Sequence, residues 1–190
     1  MPKVGMEPIR REALVKATIA EIGEAGTLDV TVSQIARRAG MSSALAHHYF
    51  GGKTEIFLAA MRRILSDFGE EVRSQLAAAP EGQRAAAIIR ASFAPSCFAP
   101  DVISAWMTFY VMAQTNPQAL RLWRIYQRRI RSNLAHALRG QVRRPDEAAA
   151  TLAALIDGLY IRAALHDPET PERATVHALD VLSLLTSGRK

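Results

Sequence analysis

The residues best placed to do chemistry lie within positions 31–50, TVSQIARRAGMSSALAHHYF. Thr31 and Gln34 have the spacing of a capping box, which starts a helix, and Gly40 follows the apolar stripe of that helix as a left-handed stop. Ser42 is placed to cap a second short helix. The pattern therefore predicts helix, tight turn, helix. The chemistry that this pattern indicates is DNA recognition, because a helix presented through its N-terminal residues fits the major groove of DNA.

The candidate DNA contacts divide into base-reading and phosphate-binding residues. We expect the base readers to be Ser43, Ala44 and Leu45, because hydroxyls reach base edges and apolar side chains touch thymine methyls. The other groove-facing or phosphate-binding candidates are Ser33, His47, His48, Tyr49 and Lys53. Plausible phosphate neighbours are Lys3, Arg10, Arg11, Arg37 and Arg38, although Arg37 and Arg38 could equally form a solvated face. The alternative is that the two helices are merely a compact way to pack.

The segment QIARRAGMSSALAHHYFGGK resembles helices 2 and 3 of the TetR family of one-component repressors, with the Lys at the head of helix 4. The resemblance implies phosphate contacts at Ser33, Tyr49 and Lys53, and base reading at the three positions 43–45. Many members have Gly where Ala44 stands and Leu-Tyr at positions 46 and 47. These departures affect which operator sequence is read and how deeply the second helix enters the DNA groove, and they do not affect DNA binding itself.

Apolar residues recur at helical spacing along nearly the whole chain, so the sequence predicts an all-α, TetR-like protein of about nine helices. The predicted helices are 7–25, two very short ones, 53–78, 83–94, 101–115, 118–139, 146–166 and 172–187. We expect a helix-turn-helix DNA-binding domain at residues 1–55 and a ligand-binding and dimerisation domain at residues 56–190.

Composition narrows the partners and the compartment. Lys and Arg total 24 against 18 acids, a net charge of +6, which favours polyanions such as double-stranded DNA. The single cysteine, Cys97, excludes an intrachain disulfide and suits a reducing compartment. A secretory signal is absent and the longest uncharged run is interrupted by Asn116-Pro117, so we expect a cytoplasmic protein without a membrane partner.

Catalytic and metal signatures are missing from the sequence. There is no G-x-S-x-G, no glycine-rich phosphate loop and no H-E-x-x-H, so we expect no enzyme activity and no cofactor. The histidines at 136, 166 and 177 match no metal-ligand spacing, so we expect no metal.

Most aromatic residues lie in the C-terminal part, where few acids occur. A quaternary ammonium ion has no N–H to donate, so its binding needs π-faces within about 6 Å and favours a nearby carboxylate. The candidate ligand residues are Trp106, Phe109, Tyr110, Trp123, Tyr126 and Asp101. Ordinary core packing is the alternative for each ring. The segments AWMTFY, RRIRSNL and LAALIDGLYIRAAL resemble the choline-responsive members of the family, which implies choline as the effector.

The last two predicted helices carry the small and apolar residues of a dimer interface. These are Ala150, Ala154, Gly158 and Ala163, followed by Ala174, Ala178, Val181, Leu182 and Leu185. We place Asp157 in this interface rather than at the ligand. A homodimer is also needed mechanically, because two recognition helices must lie about 34–36 Å apart to read a palindromic operator.

The sequence thus predicts a homodimeric repressor of choline-to-glycine betaine pathway genes, modulated by choline. Two alternatives stay open. One is a TetR-type repressor that responds to another cationic or hydrophobic small molecule, and the other is a DNA-binding adaptor whose helical bundle binds a protein.

Overall fold

The structure is a computed structural model that describes residues 6–26, 29–165 and 170–188. Within these residues the chain forms helices and no strands, which confirms the all-α prediction. The helices are α1 (Met6–Ala25), α2 (Val32–Arg38), α3 (Ser43–Phe50), α4 (Lys53–Ala78), α5 (Arg84–Ser92), α6 (Pro100–Thr115), α7 (Pro117–Leu138), α8 (Pro145–Ala164) and α9 (Pro171–Ser187). Lys3 and His166, which the sequence analysis singled out, lie outside the described residues.

Five helices begin one residue earlier than predicted, and in four of them the first residue is a proline. Pro100, Pro117, Pro145 and Pro171 are the first residues of α6, α7, α8 and α9. Proline suits the first helical position because the N–H that it lacks would have no partner within the helix. The predicted ranges left these four prolines outside the helices, whereas they are the first helical residues.

The hydrophobic core is continuous from the first helices into the bundle. Leu14 of α1, Ile35 of α2 and Ile56 of α4 are fully buried, and α1 also packs against α6. The helices α4 to α8 pack around one another, and α9 lies against α5 and α8. The pair of helices α2 and α3, with the turn between them, is therefore joined to the bundle through α1 and α4.

The contact between α1 and α6 is close because Gly23 has no side chain. A Cβ built on Gly23 would lie 2.4 Å from the Cβ of Asp101 and 2.7 Å from its Cα. Carbon atoms in contact are normally about 3.5–4.0 Å apart. Glycine at this position therefore lets α6 approach the backbone of α1.

No helix in the described part of the chain is long and apolar enough to cross a lipid bilayer.

Candidate nucleic-acid interface and effector pocket

The turn between α2 and α3 forms as its sequence predicts. The Thr31 side chain accepts from the Gln34 backbone N–H at 3.2 Å, and the Gln34 side chain accepts from the Thr31 N–H at 2.7 Å. Gly40 has a φ of +67°, and the Met41 N–H donates to the Ala36 carbonyl at 2.8 Å. The Ser42 hydroxyl then caps α3 by accepting from Leu45 N–H at 3.2 Å. Local hydrogen bonds thus fix the direction in which α3 leaves the turn.

One side of α3 is anchored and the other is open. Ala46 is fully buried against the core, while Ala44, His47 and His48 are exposed and Leu45 is half-buried. The predicted base-reading side chains therefore remain accessible. The Ser43 hydroxyl donates to the Ser33 hydroxyl at 2.9 Å, so the structure brings together a predicted base reader on α3 and a predicted phosphate ligand on α2.

The last turn of α3 is held by α1. The Tyr49 hydroxyl accepts from Arg10 Nη1 at 3.4 Å, and the Tyr49 carbonyl accepts from Arg11. The Arg11 guanidinium also lies 4.4 Å from the centre of the Phe50 ring. Lys53, at the start of α4, is exposed. These residues form a basic rim beside α3, which is the arrangement expected of phosphate contacts.

The neighbouring arginines Arg37 and Arg38 differ. Arg38 pairs with Glu21 at 2.6 Å and with Glu24, both on α1, so its charge is neutralised within the subunit. Arg37 is exposed and its side chain has no partner among the described residues. Of the two, only Arg37 is free for a phosphate, and Arg38 instead fastens α2 to α1.

The rings of Trp106, Tyr110, Tyr126 and Tyr160 form a cluster inside the bundle, which we call the aromatic cluster. Trp106 lies 4.7 Å from Tyr126, 5.8 Å from Tyr110 and 6.3 Å from Tyr160, between ring centres. The ring of Phe68 on α4 approaches Tyr126 at 5.9 Å. Three helices, α6, α7 and α8, thus supply the cluster, which includes three of the predicted ligand residues.

The carboxylate beside this cluster is Asp157. It accepts from the Tyr110 hydroxyl at 2.9 Å, from Tyr126 at 3.5 Å and from Gln127 Nε2 at 2.6 Å. Burial raises the pKa of Asp157, and the three hydrogen bonds oppose that shift in part. The sequence analysis placed Asp157 in the dimer interface, whereas its side chain turns into its own subunit.

A small cavity of about 50 Å³ adjoins the cluster. Trp106, Tyr126 and Tyr160 line it, together with Ile19 of α1 and Asp67 and Phe68 of α4. Asp67 pairs with Arg63 at 2.7 Å, and Arg63 also binds Glu12 of α1. Typical ligand pockets have roughly 300–1,000 Å³, so a ligand that enters must move the side chains around this cavity.

Tyr160 is a wall of the cavity and also a structural anchor. Its hydroxyl lies 2.7 Å from the carbonyl oxygen of Ser92 and 2.9 Å from that of Cys97, and can donate to either. Its ring packs edge-on against Phe98 at 4.8 Å. Tyr160 therefore holds the connection between α5 and α6 in place. Burial raises the pKa of its phenol well above the ordinary value.

The other three predicted ligand residues, Asp101, Trp123 and Phe109, do not line the cavity. Asp101 packs against Gly23, and its Oδ1 accepts from the Val102 N–H at 2.9 Å at the start of α6, where the helix dipole favours an acid. Trp123 does not line this cavity and instead lines a separate one on α7, together with Gln127, Arg128 and Arg131. Phe109 contacts Trp106 at 5.9 Å between ring centres but is fully buried as part of the core.

The residues missed by the sequence analysis carry a recognisable signal. Asp157 is the only charged residue in the run LAALIDGLYI, and Tyr160 follows it three positions later, on the same side of the helix. Asp67 and Phe68 belong to the predicted helix 53–78, in which the sequence analysis named no ligand residue. A lone acid within an apolar helical run indicates a group that the fold must satisfy internally.

The predicted interface helices expose an apolar face that we call the α8–α9 face. It consists of Ala154, Gly158, Ile161, Val176 and Leu184. A Cβ built on Gly158 meets nothing within 4 Å, so another helix could approach closely there. Ala174 and Ala178 were predicted to be part of this interface but are fully buried within the subunit.

Comparison with known proteins matches both halves of the chain. The profile of the bacterial regulatory proteins of the tetR family matches residues 14–60, and the profile of the C-terminal part of BetI-type transcriptional repressors matches residues 80–186. Both groups are regulators rather than enzymes.

Individual relatives agree over the full length. A regulator named HTH-type transcriptional regulator BetI from Brucella suis biovar 1 (strain 1330) is 48% identical over 198 residues, covering 100% of this chain and 98% of the relative. The protein of the same name from Rhizobium meliloti (strain 1021) is 48% identical over 179 residues, covering 93% and 88%.

Solved structures share the fold. A regulator from Saccharomonospora viridis, crystallised in complex with choline, has a TM-score of 0.79 and 22% identity, covering 91% of this chain and 95% of that one. A regulator from Pseudomonas aeruginosa PAO1 has a TM-score of 0.81 and 25% identity, covering 95% and 92%. The helix-turn-helix geometry and the similarity over the whole chain agree: the chain belongs to the TetR family of transcriptional regulators and has a BetI-type C-terminal region.

Proposed function

We propose that this chain is a homodimeric DNA-binding repressor of choline-to-glycine betaine genes, and that it senses choline through the aromatic cluster and Asp157. The observation that carries the proposal is the half-buried Asp157 carboxylate, which accepts hydrogen bonds from Tyr110 and Tyr126. The name of the full-length relatives and the choline complex of a structural neighbour support the same effector.

The chemistry of the cluster suits a quaternary ammonium ion. Such an ion offers no N–H, so it is held by π-faces and by an opposite charge. Trp106, Tyr110 and Tyr126 supply the faces, and Asp157 supplies the charge within a low-dielectric site, where the attraction is stronger than in water. Neutral molecules of the same shape lack that attraction.

The cavity wall offers a route from the effector to the DNA-binding part. Ile19 of α1 and Phe68 of α4 both line the cavity, so enlarging it displaces the two helices that carry α2 and α3. Asp67 adds a polar connection, because its partner Arg63 also binds Glu12 of α1. Choline changes operator binding only if it binds more tightly to one arrangement of α1 and α4 than to another.

The DNA end of the proposal uses two copies of α3. Residues 1–55 form the reading unit and residues 56–190 the regulatory unit, with the α8–α9 face as the dimer contact. Exposed apolar residues such as Ile161 and Leu184 favour burial against a partner. In each copy Ser43, Ala44 and Leu45 read bases, while Ser33, Tyr49 and Lys53 hold phosphates.

The effector is tested by calorimetric titration with choline and with 3,3-dimethyl-1-butanol, its uncharged isostere. We expect choline to bind and the isostere to bind at least tenfold more weakly. Asp157→Asn should remove this preference, while Asp146→Asn, an exposed carboxylate on the same helix, should keep it.

Release of DNA by choline is measured at fixed salt, as the affinity of the protein for an operator with and without choline. The operator is first selected from a random DNA pool. Unchanged operator affinity at saturating choline would refute the switch. Flat melting curves against a panel of quaternary ammonium compounds would favour the adaptor with a protein partner, because a bound ligand raises thermal stability by mass action.

The DNA interface is tested by two substitutions with different expected signatures. Lys53→Ala should weaken binding to operator and random DNA alike and lower the salt slope by about one, whereas Ser43→Ala should mainly relax sequence preference. Lys16→Ala, an exposed lysine of α1, is the matched control for charge. Equal losses on both DNAs from Ser43→Ala would contradict base reading.

A further inference from the structure

A second cavity, which we call the α4–α7 groove, lies between α4, α5 and α7. Its volume is about 450 Å³, within the range of small-molecule sites. Its apolar walls are Leu65, Val72 and Leu76 of α4, Ile88 of α5, and Ile125 and Ile130 of α7. Most of its lining residues are apolar, which suits a hydrocarbon chain.

Two arginines give the groove a charge. Arg73 on α4 and Arg129 on α7 line opposite walls, and neither side chain forms an ion pair within the described residues. Arg73 Nη1 comes within 3.5 Å of a Cβ built on Gly69, so the guanidinium folds back along its helix toward the groove. All the described residues that line the groove are neutral or basic.

We propose that the α4–α7 groove binds a straight-chain alkyl carboxylate. The chain is buried on the apolar walls, and the carboxylate is held by Arg73 and Arg129, whose guanidinium groups match a carboxylate with paired N–H donors. A quaternary ammonium ion is disfavoured beside two arginines. The two cavities therefore select opposite charges, and this inference stands independently of the choline site.

The groove and the effector cavity share a wall. Phe68 and Tyr126 line both. A chain seated in the groove packs against these rings and limits their movement toward or away from the other cavity.

The test is calorimetric titration of the full chain with octanoate, below its micellar concentration, and with 1-octanol. We expect octanoate to bind about tenfold more tightly than 1-octanol, because only the carboxylate gains charge-assisted hydrogen bonds. The double variant Arg73→Gln/Arg129→Gln should remove this difference. Arg62→Gln, an exposed arginine elsewhere on α4, should retain it.

A second variant tests the apolar part. Gly69→Leu is sterically acceptable at its Cβ and places a side chain at the groove, so it should abolish octanoate binding while leaving the melting temperature unchanged or higher. Equal affinity for octanoate and 1-octanol, or undiminished octanoate binding by both variants, would overturn the proposal. Asp157→Asn should leave octanoate binding intact, so failure of the choline site and failure of the groove give different results.

Discussion

The close approach of α1 and α6 at Gly23 provides a quantitative test of how the DNA-binding part is seated on the bundle. In Gly23→Ala the new Cβ would lie 2.4 Å from Asp101 Cβ and 2.7 Å from Asp101 Cα. Relief to normal contact requires the two helices to separate by roughly 1 Å, and the backbone atom cannot rotate away as the end of a side chain could. Overpacking of this kind costs about 1–3 kcal/mol.

Alanine also favours helix over glycine, which returns up to about 1 kcal/mol. With the middle of the overpacking range, about 2 kcal/mol, the net loss in the free energy of unfolding is about 1–2 kcal/mol. A chain of 150–250 residues loses roughly 2–4 °C in melting temperature per kcal/mol, so we expect Gly23→Ala to melt about 2–8 °C below the parent.

The matched control is Gly69→Ala, a second glycine within a helix. Its Cβ would meet only the end of the flexible Arg73 side chain, at 3.5 Å, which is ordinary contact. We expect this variant to melt at or above the parent temperature, because it gains helix propensity without a clash. Differential scanning calorimetry of both variants at equal protein concentration makes the comparison. If Gly23→Ala is as stable as Gly69→Ala, the α1–α6 contact is not close and the reasoning fails.

Three further changes have defined outcomes. Ser42→Ala removes the cap of α3 and should lower the free energy of unfolding by about 1 kcal/mol in urea denaturation; no loss would mean that the hydrogen bond to Leu45 is unimportant. Tyr160→Phe leaves the buried carbonyls of Ser92 and Cys97 without this donor and should cost about 1–3 kcal/mol, measured in the same way. The raised pKa of Asp157 means that the native state holds this proton more tightly than the unfolded chain. Stability should therefore decrease as pH rises from the ordinary carboxyl value near 3.8 through the native pKa. Choline affinity should fall as pH drops through the same range, and in Asp157→Asn both pH dependences should be weaker.

The elements of this fold could be predicted because their signals are local. Thr31 and Gln34 are three residues apart, and Gly40 ends α2 by its own backbone conformation, so the helix-turn-helix is encoded within a short segment. The predicted first residues of α6 to α9 differ by one residue from those in the structure. Proline interrupts the preceding segment and also favours the first helical position, so the pattern alone does not assign it to one side of the boundary.

The effector site could be predicted only in part, because its contacts join distant positions. Trp106 and Tyr110 share a helix face, and their proximity follows from spacing. The hydrogen bond between Tyr110 and Asp157 joins residues 47 positions apart on different helices. Which face of α8 turns inward depends on how α6, α7 and α8 pack together. Asp101 was predicted to contact the ligand for the same reason. The sequence shows that it is one of few acids in the C-terminal part, but it does not show that Asp101 packs against Gly23.

The double role of Tyr160 bears on any attempt to retune this repressor as a biosensor for other amines. Libraries that diversify every cavity-lining position would also alter the anchor that fixes the polypeptide between α5 and α6, and many such clones would be lost to misfolding rather than to altered selectivity. Keeping position 160 constant while varying the half-buried Val102 separates the two demands, because this side chain lines the cavity without anchoring the connection between α5 and α6.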